Sequence, residues 1–201
     1  MLSCENITCI RGGKAVFRHV GFCLQPGALL LLKGPNGSGK TSLIRILAGL
    51  DAPGEGQALW EGQPLKNNKE FTHELMVIGH ESTIQPKQTV EKNLAKWARR
   101  YDTETLIPAA LKFFDLTDVR DVRAGELSAG MQRKVELARL IVAPCKLWLL
   151  DEPTNFLDDA TVGLTASLIE TRVAQGGIVV VASHIMNSAL AAHSLLVEDF
   201  K

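Results

Sequence analysis

Apolar residues recur at near-alternate positions over Leu2–Ile10 and Val16–Leu24, the spacing of half-buried antiparallel strands. Ala28–Leu32 is continuously apolar, which predicts a strand buried on both faces. The period then changes. Leu43, Ile46, Leu47 and Leu50 fall at i, i+3, i+4 and i+7, so Thr41–Leu50 is expected to be a helix with one apolar face. Gln57–Glu61 reads as a short strand and Leu75–Ile78 as a buried one. From about residue 82 to 141 the pattern is helical: Thr89 suits the cap of a helix over Val90–Arg100, and Pro108 the first turn of one running through Phe114. Buried strands return at Leu147–Leu150, Ile178–Ala182 and Leu195–Val197. This order predicts an α/β chain with a mostly parallel core, an antiparallel strand layer at its start and a helical insertion, all within a single domain over 1–201.

Composition narrows the partners. Lys and Arg together number 22, as do Asp and Glu, so no basic footprint for nucleic acid is expected. Hydrophobic residues make up 46%, enough for a packed core. Cys4, Cys9, Cys23 and Cys145 lack the close spacing of a zinc or redox pair and read as buried reduced thiols. The first residues show no charged start followed by an apolar stretch, so no signal peptide is expected. The longest apolar runs fall far short of the roughly 20 residues a membrane span needs, so a membrane role requires another chain.

One segment carries specific chemistry. Gly34–Thr41 reads GPNGSGKT, a match to G-x-x-x-x-G-K-[ST] placed between a buried strand and a helix. Gly34, Gly37 and Gly39 let successive N–H groups converge on phosphate oxygens, and the following helix directs the positive end of its dipole there. Lys40 reaches the β- and γ-phosphates, and the Thr41 hydroxyl is a ligand for Mg²⁺. Pro35, Asn36, Ser38 and Ser42 complete the expected nucleotide contacts. By composition, about one random chain of this length in a hundred would hold such a match.

Leu147–Pro153 reads LWLLDEP, an apolar strand ending in two acids. If that strand lies beside the phosphate strand, Asp151 can hold Mg²⁺, and Glu152 can polarise a water as general base.

Together these segments resemble the ATP-binding subunits of ABC-type ATPases, over essentially the whole chain. The resemblance implies a P-loop NTPase (RecA-like) core with a helical signature subdomain, and an enzyme that hydrolyses ATP with Mg²⁺. LSAGMQRKVELARL at Leu127–Leu140 looks like the family's signature; by resemblance, Ser128 and Gly130 face the γ-phosphate held by a second copy, which implies a head-to-tail homodimer. Ser128 also suits an ordinary helix N-cap. NFLD at Asn155–Asp158 resembles the segment that communicates between the two sites, through Asp158. His184, in VASH, matches a histidine that contacts the γ-phosphate.

Three positions depart from the family pattern. Glu81 stands where a Gln usually ligates Mg²⁺ and senses the membrane partner; Gln85 offers a shifted register. Met131 replaces a polar signature residue. Arg11 stands where an aromatic usually stacks on adenine, and a guanidinium can also lie flat on a base.

Within the family, ALWEGQPL at Ala58–Leu65, IGHE at Ile78–Glu81 and QGGIVVVASH at Gln175–His184 resemble the ATP-binding subunits of haem-export, or cytochrome c maturation, systems. That resemblance implies a peripheral subunit on the cytoplasmic face of the inner membrane. Its implied partners are integral permease subunits similar to CcmB and CcmC and a haem-carrying chaperone. The region Glu81–Tyr101, with Trp97, is where the family docks its membrane partner. A soluble ABC protein acting on ribosomes or nucleic acid is the alternative, since EPTNFLD is close to the version those proteins carry. The ATP subunit of another small-substrate exporter is a further one.

Overall fold

A computed structural model describes residues 1–183 and 193–200. The opening alternations form a long antiparallel pair, β1 (Leu2–Arg11) and β2 (Lys14–Leu24), followed by β3 (Leu29–Lys33) and α1 (Lys40–Leu47). Next come β4 (Glu55–Trp60), β5 (Gln63–Pro64), α2 (Lys69–Glu74) and β6 (Leu75–Ile78). The helical stretch holds α3 (Val90–Ala98), α4 (Ile107–Phe113) and α5 (Ala129–Val142). The described chain closes with β7 (Leu147–Asp151), α6 (Asp159–Ala174), β8 (Ile178–Ala182) and β9 (His193–Leu196).

Two sheets result. One is antiparallel, in the order β2-β1-β4-β5, and the other has the order β6-β7-β8-β3-β9. Every pair in the second sheet is parallel. Its strands are apolar at nearly every position because both faces are covered. Leu30 and Leu32 join a core with Leu2, Phe17, Leu43 and Leu47 on the side of the antiparallel sheet. Leu29 and Leu31, one residue out of phase, join the opposite core with Val90, Leu94, Leu111 and Phe114 from the helices. Each such leucine stabilises the fold by roughly 1.5–3 kcal/mol through its own burial.

Several local expectations correspond to observed contacts. The Thr89 side chain caps α3, accepting from the Lys92 N–H at 3.2 Å, and Pro108 sits in the first turn of α4. Others need correction. The first helix stops at Leu47, because the chain reverses through Gly49 at φ 69°, and Leu50 is 62% exposed rather than on the buried face. The strand ending in Asp151 is not beside the phosphate strand: β8 stands between β7 and β3. Cys4, Cys9 and Cys145 are buried, but Cys23 is exposed. Helix α6, 16 residues long, has no counterpart in the apolar periodicity. No helix among the described residues is long and apolar enough to cross a membrane.

Candidate active site

The phosphate loop joins β3 to α1 at the carboxyl end of the parallel sheet, where open α/β sheets bind ligands. Gly39 is the N-cap of α1 with φ 108°, and a Cβ there would lie 2.8 Å from both Val16 and Phe17 of β2. Only glycine lets the loop take this backbone turn while packing so closely on the antiparallel sheet. Gly34 has φ 134°, and a Cβ there would lie 2.7 Å from the Ser38 hydroxyl oxygen. That hydroxyl is buried and has no hydrogen-bond partner.

Lys40 is 93% buried on this loop, with 7% exposed. Its ammonium donates to the Gly34 carbonyl at 2.7 Å and to the Pro35 carbonyl at 3.1 Å. The cation thus folds back over its own loop, close to where backbone N–H groups gather at the start of α1.

A cleft of about 740 Å³ opens above the loop, within the size range of ligand sites. Asn36, Gly37, Gly39, Lys40, Thr41 and Ser42 line one side of it. Asp151, Glu152 and Asn155 line the other, and His80 and Val16 complete the wall. Although β8 separates the two strands, the tips of β3 and β7 open onto the same space. Thr41 and Asp151 border it together, and their side chains carry the hard oxygen donors that Mg²⁺ takes, usually with few protein ligands beside phosphates.

Glu152 sits just past the end of β7 with φ 47°, a left-handed conformation that costs a non-glycine residue on the order of 1–3 kcal/mol. Its N–H donates to the Ala182 carbonyl of β8 at 2.8 Å, which holds the turn in place. The bend directs the chain from a buried strand into the cleft wall.

The signature segment opens α5. Ser128 is exposed and caps α5, accepting from the Met131 N–H at 3.3 Å, so the ordinary cap is present whatever else the residue does. Gly130 lies against the next motif, where a Cβ would stand 2.7 Å from the Phe156 carbonyl oxygen. Asp158 caps α6 through the Thr161 N–H at 2.7 Å, which holds its carboxyl below the usual range. Neither Ser128 nor Gly130 nor Asp158 lines the cleft formed by the chain's own phosphate loop.

Three expected positions are placed differently. Arg11 does not line the cleft; its guanidinium pairs with Asp51, which Arg45 also binds at 2.8 Å. Val16 of β2 borders the cleft instead. Glu81 is exposed and also absent from the cleft wall, where its neighbour His80 is found. Gln85 is held against α3 by Asn93, whose amide oxygen accepts from the Gln85 N–H at 2.8 Å. Trp97 is half-buried, with the Arg139 guanidinium over its ring at 4.3 Å. His184 lies outside the described residues.

The residues that periodicity missed altogether are charged and buried. Arg133, Glu136 and Arg139 of α5 are 7%, 4% and 5% exposed. Burial lowers Arg139 to about 10.

Comparison with known proteins agrees with this geometry. The family model for the ABC transporter matches residues 17–155. The protein from Paramagnetospirillum magneticum named cytochrome c biogenesis ATP-binding export protein CcmA is 40% identical, over 98% of this chain and 94% of its own. The protein of the same name from Rhodospirillum rubrum is 44% identical over 90% of this chain and 78% of its own. In fold, a putative ABC transporter ATP-binding protein from Pyrococcus furiosus superposes with a TM-score of 0.86 at 23% identity, covering 100% of this chain and 98% of that one. A dimeric ATP-binding cassette bound to ADP and Pi superposes with a TM-score of 0.83 at 22% identity, covering 98% and 95%. The chain therefore belongs to the ABC transporter family, as one of its ATP-hydrolysing subunits, and falls among the relatives named CcmA.

Proposed function

We propose that the chain, a single ABC ATPase domain over 1–201, drives a membrane complex of haem export or cytochrome c maturation. The observation that carries the catalytic part is the shared cleft: Lys40 and Thr41 stand on one wall, Asp151 and Glu152 on the other. In this reading the N–H groups of the Gly34–Ser42 segment and the dipole of α1 bind the phosphates. The Lys40 ammonium leaves the Gly34 and Pro35 carbonyls for the β- and γ-phosphate oxygens. Thr41 and Asp151 would hold Mg²⁺, which when bound neutralises phosphate charge. Glu152 accepts the proton of the attacking water as its oxygen bonds to the γ-phosphorus and the bond from that phosphorus to the β,γ-bridging oxygen breaks, so that phosphate and ADP leave. His184 is assigned a γ-phosphate contact on the resemblance alone.

The same reading makes the site bipartite. Ser128 and Gly130, which do not line their own chain's cleft, would act on the nucleotide of a second copy, with Asp158 communicating between the two sites. Arg11 does not hold adenine in this reading, because its guanidinium is paired with Asp51 away from the cleft wall. Glu81 is exposed and does not line the cleft. It is therefore proposed as a coupling-loop residue and not as a metal ligand.

Support for the cellular role comes from the relatives named CcmA. The partners proposed are integral subunits similar to CcmB and CcmC with a haem-carrying chaperone, and the place is the cytoplasmic face of the membrane, peripherally bound. Co-expression tests this. The chain should sediment with membranes when CcmB- and CcmC-like subunits are present and remain in the supernatant without them; co-sedimentation with ribosomes instead would overturn the assignment.

A further inference from the structure

Arg133 is a buried cation with five backbone and side-chain oxygens around it. Its Nε donates to the Pro153 carbonyl at 3.1 Å. Its Nη2 donates to the Asp151 carbonyl at 3.1 Å and the Glu152 carbonyl at 2.8 Å. Its Nη1 donates to the Gly79 carbonyl at 3.0 Å and to the Glu136 carboxylate at 2.7 Å. Three consecutive carbonyls of the turn that leaves β7 therefore end on one planar group. Lysine, with a single nitrogen and no fork, cannot reproduce that pattern.

The turn being held is the strained one. Glu152 has φ 47°, and its N–H is fixed on β8 while its carbonyl is fixed on Arg133. The second anchor of the guanidinium is Glu136, whose other carboxylate oxygen accepts from the Thr83 N–H at 3.1 Å. Thr83 in turn receives a hydrogen bond on its hydroxyl from Arg139, which stacks on Trp97 of α3. One side of α5 thus ties the Glu152 turn to the loop 79–83.

We propose that Arg133 is a positioning residue for Glu152: it fixes the backbone of Asp151–Pro153 so that the Glu152 carboxylate faces the cleft, and Glu136 keeps the guanidinium aimed. This rests on the reading of Glu152 as general base. Arg133 makes no hydrogen bond to the phosphate loop, so it acts on turnover and leaves Mg²⁺-free nucleotide affinity unchanged. A misplacement of about 1 Å at a catalytic group costs on the order of 100-fold in rate.

The test measures, on the full chain, the Kd for a fluorescent ATP analogue without Mg²⁺ and, with Mg²⁺, the kcat per mole of bound nucleotide, so that misfolded protein is not counted. Arg133→Lys should lower kcat by about 10- to 100-fold and leave Kd within about two-fold. Glu136→Gln, which keeps an acceptor for Thr83 but loses the charge facing Arg133, should lower kcat less and leave Kd equally unchanged. An Arg133→Lys protein with kcat within two-fold of the parent, or with Kd weakened in step with kcat, overturns the proposal. Glu152→Gln is run in parallel. If it abolishes turnover while Arg133→Lys does not slow it, the positioning role alone fails; if Glu152→Gln turns over like the parent, the base assignment beneath it has failed.

Discussion

The ammonium of Lys40 lies 2.7 Å from the carbonyl oxygen of Gly34, the first glycine of its own loop, with the Pro35 carbonyl next to it at 3.1 Å. These carbonyls hold the cation within the loop at which the α1 N-terminus collects phosphate. Nucleotide binding is then an exchange of partners, from neutral carbonyl oxygens to anionic phosphate oxygens, which adds attraction between opposite charges to bonds that the ammonium already makes charge-assisted.

Replacing Lys40 by Ala removes the stronger partner in the bound state and leaves two carbonyls without their donor in the free state. ATP affinity should fall by about 10- to 100-fold, matching a charged hydrogen bond of roughly 1.5–3 kcal/mol. Isothermal titration with Mg·ATP measures it, and unchanged affinity would remove Lys40 from the phosphate site.

Gly39 supports the same loop sterically. An alanine there would place its Cβ 2.8 Å from Val16 and Phe17 at a backbone φ of 108°. Gly39→Ala should cost on the order of 1–3 kcal/mol in folding stability and weaken nucleotide binding, because the loop must shift away from β2 to accept it. Urea unfolding and nucleotide titration on one preparation read both effects; a variant as stable as the parent contradicts the packing described.

Asp51 gives a pH signature. Hydrogen bonding from Arg45, then from Arg11, holds its carboxyl down at about 2 against an ordinary 3.8. The folded value is lowered, so the stabilisation is fully present above about pH 4 and is lost as the pH falls from there toward 2. Because both arginines are about half exposed, the contribution is modest, about 1 kcal/mol at neutral pH. The stability gap between the parent and Asp51→Asn, measured in urea from pH 7 downward, should hold to pH 4 and close below it. A gap that widens on acidification would contradict the ion-pair account.

The phosphate loop was legible from residues alone because its chemistry is local: Gly34, Gly39, Lys40 and Thr41 must stand at fixed spacing on one turn. The strand order was not legible. LWLLD identifies a buried strand, but nothing in it says that Ile178–Ala182 inserts between it and Leu29–Lys33, since that choice depends on chain segments far apart. Helix α6 escaped for another reason. Its buried positions include Thr161 and Thr165, and the Thr165 hydroxyl bonds back to the Thr161 carbonyl at 2.9 Å, so a polar residue satisfies itself inside the core and breaks the apolar period. The burial of Arg133, Glu136 and Arg139 is invisible for a related reason: hydropathy does not register the partners that make burial of charge tolerable. Arg11 pairs with Asp51, 40 positions away, a partner that local sequence pattern does not register.

The central claim is that the cleft between Lys40 and Glu152 hydrolyses ATP with Glu152 as base. Phosphate release by the purified chain under Mg·ATP, compared with that of Glu152→Gln, tests it most directly. Turnover should fall by about 100- to 10,000-fold in the variant while ATP binding persists, and size-exclusion chromatography with ATP should show an accumulated dimer. Phosphate release by Glu152→Gln at the parent's rate would contradict the account.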